Sequence, residues 1–285
     1  MGKPKPDFLV IGAQKCGTSW LHAQLSAHPD IFLPQRKELE YFSYEPQHHR
    51  AGLTGYLDNF REAKATDTIG ETTASYFWSH SSSPWCDMPY GFETNIPLSI
   101  RQQLGSEVKI VVALRNPVRR AISAYLHYCS MGQVSPSSRF QDNMKYMGVI
   151  DMGFYGRHLA NWLDVFDPSQ VLVLTLEHDI RAEPEKTMSR LHTFLEVENH
   201  QNDLTSLQKT IYPGLPTQTK QDGVYAKIEL DNTHTGSQGT RSPIGLTRIL
   251  SSLQLSELKQ IYREDIAQLD TLLGTLLSID WGLSY

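Results

Sequence analysis

The stretch Phe8-Leu9-Val10-Ile11-Gly12-Ala13-Gln14-Lys15-Cys16-Gly17-Thr18-Ser19-Trp20-Leu21 governs how the rest of the chain is read. Phe8 to Ile11 form a continuous apolar run ended by Gly12, the pattern of a strand buried on both faces. From Thr18 onward, Trp20, Leu21 and Leu25 recur at helical spacing until His28-Pro29-Asp30 stops the helix. Strand, glycine loop and helix together form an anion-holding unit. The glycines let backbone N–H groups turn inward, and the helix N-terminus adds positive potential. A nucleoside-triphosphate loop carries Lys and then Ser or Thr directly after its second glycine. Here Thr18 and Ser19 follow Gly17 and the lysine lies inside the loop at Lys15, so magnesium-dependent γ-phosphoryl chemistry is not the natural reading. The plainer alternative is a glycine pair that merely permits a tight turn. Against it, Lys15 has no packing reason to sit between glycines, and two hydroxyls at a helix start can both cap the helix and bind phosphate.

Further buried strands are expected at Val108–Leu114 and Val171–Leu174, with helices starting at Pro117 and running near 158–166, 183–194 and 253–277. Strands alternating with helices predict an α/β fold: three layers, P-loop-like, with a central parallel sheet flanked by helices, in a single domain over residues 1–285. Two stretches, 79–97 and 212–245, are rich in Pro, Gly, Ser, Thr and Gln and read as long loops, functional or disordered.

The composition, 40% hydrophobic and 20% charged over 285 residues, is that of an ordinary soluble protein. A net charge of -5 argues against a surface for bulk nucleic-acid binding and leaves room for a local basic pocket. Three scattered cysteines, Cys16, Cys86 and Cys129, give neither a disulfide framework nor metal-ligand spacing. The apolar start is too short for a signal peptide and no run approaches the ~18 residues of a membrane span, so a cytoplasmic setting is expected. The oligomeric state is not legible.

Arg115-Asn116-Pro117-Val118-Arg119-Arg120-Ala121-Ile122-Ser123 follows the second long strand. Ligands of a parallel sheet sit beyond the carboxyl ends of its strands, which puts Arg115 beside the first loop. Ser123 falls nearly two turns into the next helix, on a face that Arg115 could share through a bound anion. Two anion sites on neighbouring strand ends suit a nucleotide phosphorylated at both its 5′ and 3′ positions.

At this point the chain resembles the sulfotransferases that use 3′-phosphoadenosine 5′-phosphosulfate (PAPS), in the branch of the heparan sulfate sulfotransferases and their bacterial relatives. The resemblance runs through nearly the whole chain. It is carried by FLVIGAQKCGTSWLHAQLSAHPD from Phe8, KELEYF at 37–42, GETTASYF at 70–77, ALRNPVRRAISAYLHY from Ala113, FYGRHLANWL from Phe154, and YREDIAQLDTLLG from Tyr262 with Trp281 beyond it.

The resemblance implies that Gln14, Lys15, Cys16, Gly17, Thr18, Ser19 and Trp20 surround the nucleotide, with Lys15, Gly17, Thr18 and Ser19 on the 5′-phosphosulfate. Arg115 and Ser123 take the 3′-phosphate, and Tyr155 matches a position packed near the nucleotide, with core packing as its equal alternative; the second long loop is expected to cover the nucleotide, with Lys220, Lys227 and Arg241 as candidate contacts. Glu38 falls at the family's catalytic base; its plainer reading is a surface carboxylate paired with Lys37. Cys16 reads as a small loop filler, and His80, His127 and His158 as alternative bases whose plainer reading is a satisfied structural histidine. The sequence departs from the family at Thr72, where many relatives carry lysine, and at Glu40, where histidine is common. Sulfuryl transfer proceeds in line through a loose transition state, so Lys15 is expected to stabilise the leaving phosphate and no metal is expected. Trp78, Trp85, Tyr90 and Phe92 either line an acceptor pocket or pin their loop to the core. The acceptor is expected to be a small molecule or carbohydrate of low charge, carrying a hydroxyl or amine, rather than a nucleic acid. The alternatives are an ATP-dependent small-molecule kinase and a nucleotide-binding module without catalysis.

Overall fold

The computed structural model describes residues 4–44, 51–79, 83–87, 95–135, 137–200, 217–220, 222–229 and 243–284, with the backbone alone at 217–220, 225–229 and 243–248. These residues fall into two compact units. One comprises the described residues up to 79 together with 95–115 and 158–200; the other comprises 83–87, 116–157 and the residues from 217 onward.

The first unit is built on five strands, β1 (Phe8–Gly12), β2 (Ile31–Phe32), β3 (Thr68–Thr72), β4 (Lys109–Leu114) and β5 (Val171–Thr175), in the order β2-β3-β1-β4-β5. Every pairing is parallel, with Phe8 between Gly70 and Lys109 and Ile110 opposite Val171. Parallel neighbours need crossover connections. These carry helices α1 (Thr18–Ser26), α2 (Gly52–Leu57) and α3 (Ile96–Leu104), and α6 (Pro184–Leu195) follows β5. The parallel sheet flanked by helices is the α/β architecture expected from the alternating pattern. Phe8 to Ile11 and Ile110 to Leu114 are wholly buried, which explains their unbroken apolar runs. β3 did not read as a strand, because Thr68-Ile69-Gly70-Glu71-Thr72 has one large apolar residue; pairing on both sides, to β1 and β2, supplies what its composition lacks. After β5 the chain turns through a π-helical segment, Leu176–Ala182.

The second unit holds α4 (Pro117–Ser130), which starts where Asn116 caps it by accepting from Arg119 N at 3.1 Å. Helix α5 (Tyr155–Leu163) begins three residues before the expected 158, because the Asp265 carboxylate accepts from Gly156 N at 2.8 Å and Arg157 N at 2.9 Å, a cap supplied from far along the chain. Helix α7 (Ser252–Leu273) opens on a capping box between Ser251 and Gln254 and ends at Gly274, short of the expected 277; α8 (Leu277–Asp280) follows.

The expected long loop over 212–245 is corrected where its residues are described. Thr217–Lys220 (β6), Gly223–Glu229 (β7) and Pro243–Ser251 (β8) form an antiparallel sheet in the order β6-β7-β8. Alternating segments such as Gly-Val-Tyr-Ala-Lys-Ile-Glu find their main-chain partners in one another, a pairing that a count of Gly, Pro and Gln does not reveal.

Candidate active site

The carboxyl ends of the parallel strands determine what meets in the first unit. β1 leads into the glycine loop, β2 into the segment carrying Lys37 and Glu38, β3 into Thr73 and Ala74, and β4 into Arg115. Ala13 N donates to Ala113 O at 2.7 Å and Thr73 N to Val10 O at 3.0 Å, so the three main strands are laced together just where the loops leave them.

Both glycines of the loop are required by geometry. Gly12 has φ +139°, and a Cβ there would lie 2.5 Å from Ala74 O. Gly17 has φ +101°, and its Cβ would press at 3.1 Å on both Leu176 and Ile180 of the π-helical turn. Between them Lys15 itself adopts a left-handed conformation, φ 67°, and its carbonyl accepts from the Arg115 guanidinium at 3.3 Å. Gly17 is the N-cap of α1 and offers no side chain, so the first-turn N–H groups of that helix carry no side-chain cap.

Lys37 Nζ reaches Thr18 Oγ1 at 3.4 Å, Ser19 Oγ at 3.2 Å and Glu38 Oε1 at 3.2 Å. Glu38 is 27% exposed, and its other oxygen accepts from Ala74 N at 3.1 Å. The Glu38–Lys37 pair therefore exists, but it lies against the glycine loop rather than out in water. Behind it, Thr73 Oγ1 accepts from Leu39 N at 3.1 Å and Glu40 N at 3.4 Å, and donates to Glu71 Oε1 at 2.7 Å. Glu71 is 1% exposed and also accepts from Tyr76 at 2.8 Å and Tyr56 at 2.5 Å. Thr72, at the position of the family departure, is buried with its hydroxyl 3.2 Å from His22 Nδ1.

The electrostatics follow from this crowding. Burial, then the charges of Arg115 and Lys37, push the Lys15 ammonium down to about 8, partly countered by Cys16 and Glu38. Burial and Lys37 push His22 down to about 4. Burial drives Glu71 up to about 7 despite its three hydroxyl donors. Glu40 is raised by burial and by Glu38. Three cations, two hydroxyls and an uncapped helix start thus face one place, suited to an anion of multiple charge with a carboxylate beside it.

Of the residues expected from the sequence, Lys15, Gly17, Thr18, Ser19, Glu38 and Arg115 belong to this cluster. Cys16 is buried with its thiol 3.6 Å from Gln14 O, the position of a loop filler, and Trp20 is buried on α1. Ser123 lies half-buried on α4 in the second unit, where Tyr155 is fully buried with its ring 6.0 Å from that of Trp281. His158 is fully buried beside the Phe77 ring, and Trp78 is buried as well. Arg241, His80, Tyr90, Phe92 and the side chains of Lys220 and Lys227 lie outside the described residues. Sequence reading passed over Lys37 as more than an ion-pair partner, and missed Glu71, Thr73 and His22. No local signal marked them, because β3, whose end carries Glu71, does not read as a strand in the sequence. Among the described residues no group of three His, Cys, Asp or Glu is placed to hold a metal ion, and no helix is long and apolar enough to cross a membrane.

Residues 5–242 match the family described as "Sulfotransferase domain". The bifunctional heparan sulfate N-deacetylase/N-sulfotransferase 3 of Mus musculus is 28% identical over 237 residues, 76% of this chain and 25% of that protein. The corresponding human protein 2 is 28% identical over 210 residues, 67% of this chain and 22% of that protein. The match thus spans about a quarter of the length of these relatives. A solved sulfotransferase from Alicyclobacillus acidocaldarius has the same fold, with a TM-score of 0.66 at 22% identity over 98% of this chain and 99% of that one.

Proposed function

The chain belongs to the sulfotransferase domain family, and from that premise we propose that it transfers a sulfuryl group from PAPS to a hydroxyl or amine of a small-molecule or carbohydrate acceptor. The observation that carries this reading is the convergence of Lys15, Lys37 and Arg115 on a glycine loop whose hydroxyls, Thr18 and Ser19, lie within 3.4 Å of an ammonium beside Glu38. These groups fit a 5′-phosphosulfate: its charge meets cations and uncapped N–H groups, and its oxygens meet hydroxyls.

PAPS supplies an activated sulfuryl group whose transfer leaves a phosphate behind. The chain's own residues do the rest. Lys15, the cation within the loop, neutralises charge growing on the bridging oxygen of that phosphate. Glu38, held by Ala74 N and Lys37, accepts the acceptor proton. Arg115 braces the loop through Lys15 O, and we assign it to the 3′-phosphate. A carbohydrate acceptor is supported by the heparan sulfate N-sulfotransferases among the relatives. We also propose a reducing, cytoplasmic setting, which accords with three cysteines, two of them buried, that form no disulfide among the described residues.

The test is calorimetric titration with adenosine 3′,5′-bisphosphate, the desulfated product, beside ADP and ATP with magnesium. Tight binding of the bisphosphate with little response to ADP is expected, and Glu38→Gln should keep that binding while losing sulfuryl transfer. A preference for ATP and magnesium would replace this reading with a kinase. Bisphosphate binding without transfer of labelled sulfuryl to any acceptor would make the chain a nucleotide-binding module.

A further inference from the structure

Lys37 holds Glu38 and adds to the positive charge at the loop, and it touches two parts of the site at once. Its ammonium lies on a segment that follows β2, while Thr18 and Ser19 open α1 after β1. An ammonium has three protons to donate. In Lys37 three oxygens lie within reach: Thr18 Oγ1 at 3.4 Å, Ser19 Oγ at 3.2 Å and Glu38 Oε1 at 3.2 Å. Its side chain is 19% exposed, unlike the solvated lysine of an ordinary surface ion pair. Its charge is felt on both sides, by Lys15 and by His22. Three cations, Lys15, Lys37 and Arg115, here face the single carboxylate of Glu38, an excess of positive charge that an arriving anion would offset.

Resting on the sulfotransferase reading, we propose that Lys37 is a second cation of the transfer step, contacting the sulfuryl oxygens as the group passes from the donor loop toward Glu38. In that step the acceptor's lone pair forms a bond to sulfur. The bond between sulfur and the bridging oxygen breaks, with its electron pair staying on that oxygen beside Lys15, and the acceptor proton moves to Glu38. The sulfuryl oxygens keep their charge from start to finish, whereas the product nucleotide has lost them. A cation aimed at those oxygens therefore distinguishes PAPS from its desulfated product; a lysine that only props up the loop treats both alike.

The experiment compares Lys37→Met and Lys37→Arg with the unaltered full chain. Equilibrium affinities for PAPS and for adenosine 3′,5′-bisphosphate are measured without acceptor, together with slow release of labelled sulfuryl to water. Lys37→Met is expected to weaken PAPS at least tenfold, leave the bisphosphate within threefold, and slow sulfuryl release about a hundredfold or more. Lys37→Arg should recover at least part of both losses, because the charge is restored. Equal weakening of the two nucleotides in Lys37→Met would reduce Lys37 to a prop for the loop, and unchanged affinities would remove it from the site. If the unaltered chain binds neither nucleotide, the sulfotransferase reading itself fails, a result separable from either of the others.

Discussion

Lys15 is held in a conformation that ordinary residues avoid, with Arg115 on its carbonyl and the charge of Lys37 nearby. For stability alone that arrangement is poor, since burial and two like charges all oppose its proton. It becomes useful when a polyanion arrives, because the same cations then face negative charge at short range. Two consequences can be measured on this one side chain. In the free protein Lys15 releases its proton near pH 8, so the specificity constant kcat/KM for PAPS should fall as pH rises through about 8. The sign follows from the charge: the protonated form below that pH stabilises the leaving phosphate and the neutral form above it does not. Lys15→Met should cut sulfuryl transfer by about 10²–10³-fold, the scale of losing one preorganised electrostatic contact. It should not lower the free energy of unfolding, because repulsion with Arg115 and Lys37 is relieved. A stability loss as large as the activity loss would make Lys15 a structural residue.

Secondary-structure elements differ sharply in how much of them is legible in the sequence. β1 and β4 are continuous apolar runs, and Gly12 and Gly17 bracket the loop, so strand, loop and the start of α1 at Thr18 could be read from local pattern alone. β3 could not, and neither could its function. Its buried carboxylate, Glu71, is satisfied by hydroxyls from Thr73, Tyr76 and Tyr56, the last fifteen positions away and contributed by α2. No window of sequence holds that set. Likewise Lys37 and Glu38 are neighbours in sequence, but what makes Lys37 more than an ion-pair partner is α1 meeting the segment after β2, a tertiary event. Between β3 and that segment stands Thr73, a positioning residue: it ties Leu39 N and Glu40 N to Glu71 and so fixes the backbone next to Glu38. Thr73→Val keeps the shape and removes the hydroxyl. Buried groups left unpaired should cost about 1–3 kcal/mol in urea unfolding. Turnover should fall while bisphosphate affinity stays within threefold, because the donor loop is untouched. Unchanged kcat with the stability loss present would confine Thr73 to a structural role.

Stability of the whole chain against pH carries two opposed contributions from this neighbourhood. Glu71, raised from its ordinary 4.5 to about 7 chiefly by burial, keeps a proton in the folded chain that the unfolded chain has released. Its contribution is present in full below pH 4.5 and is lost as pH rises through 7, in all about 3 kcal/mol. His22, lowered from 6.5 to about 4 by burial and by Lys37, does the reverse. The unfolded chain binds a proton that the folded chain refuses, so its contribution is present above pH 6.5 and lost as pH falls through 4. The two windows overlap between pH 4.5 and 6.5, where one slope offsets the other. Glu71→Gln should therefore leave a protein whose unfolding free energy, relative to the parent, climbs with pH across that range, because the contribution that the parent loses there is absent from the variant. His22→Gln should leave one whose relative stability declines across the same range. Chemical denaturation of parent and variants at half-unit pH steps measures both, and taking differences cancels every other titrating group. Opposite tilts are the expected result. No tilt in Glu71→Gln would mean that Glu71 ionises in the folded protein as it does in water, and no tilt in His22→Gln would mean the same for that histidine.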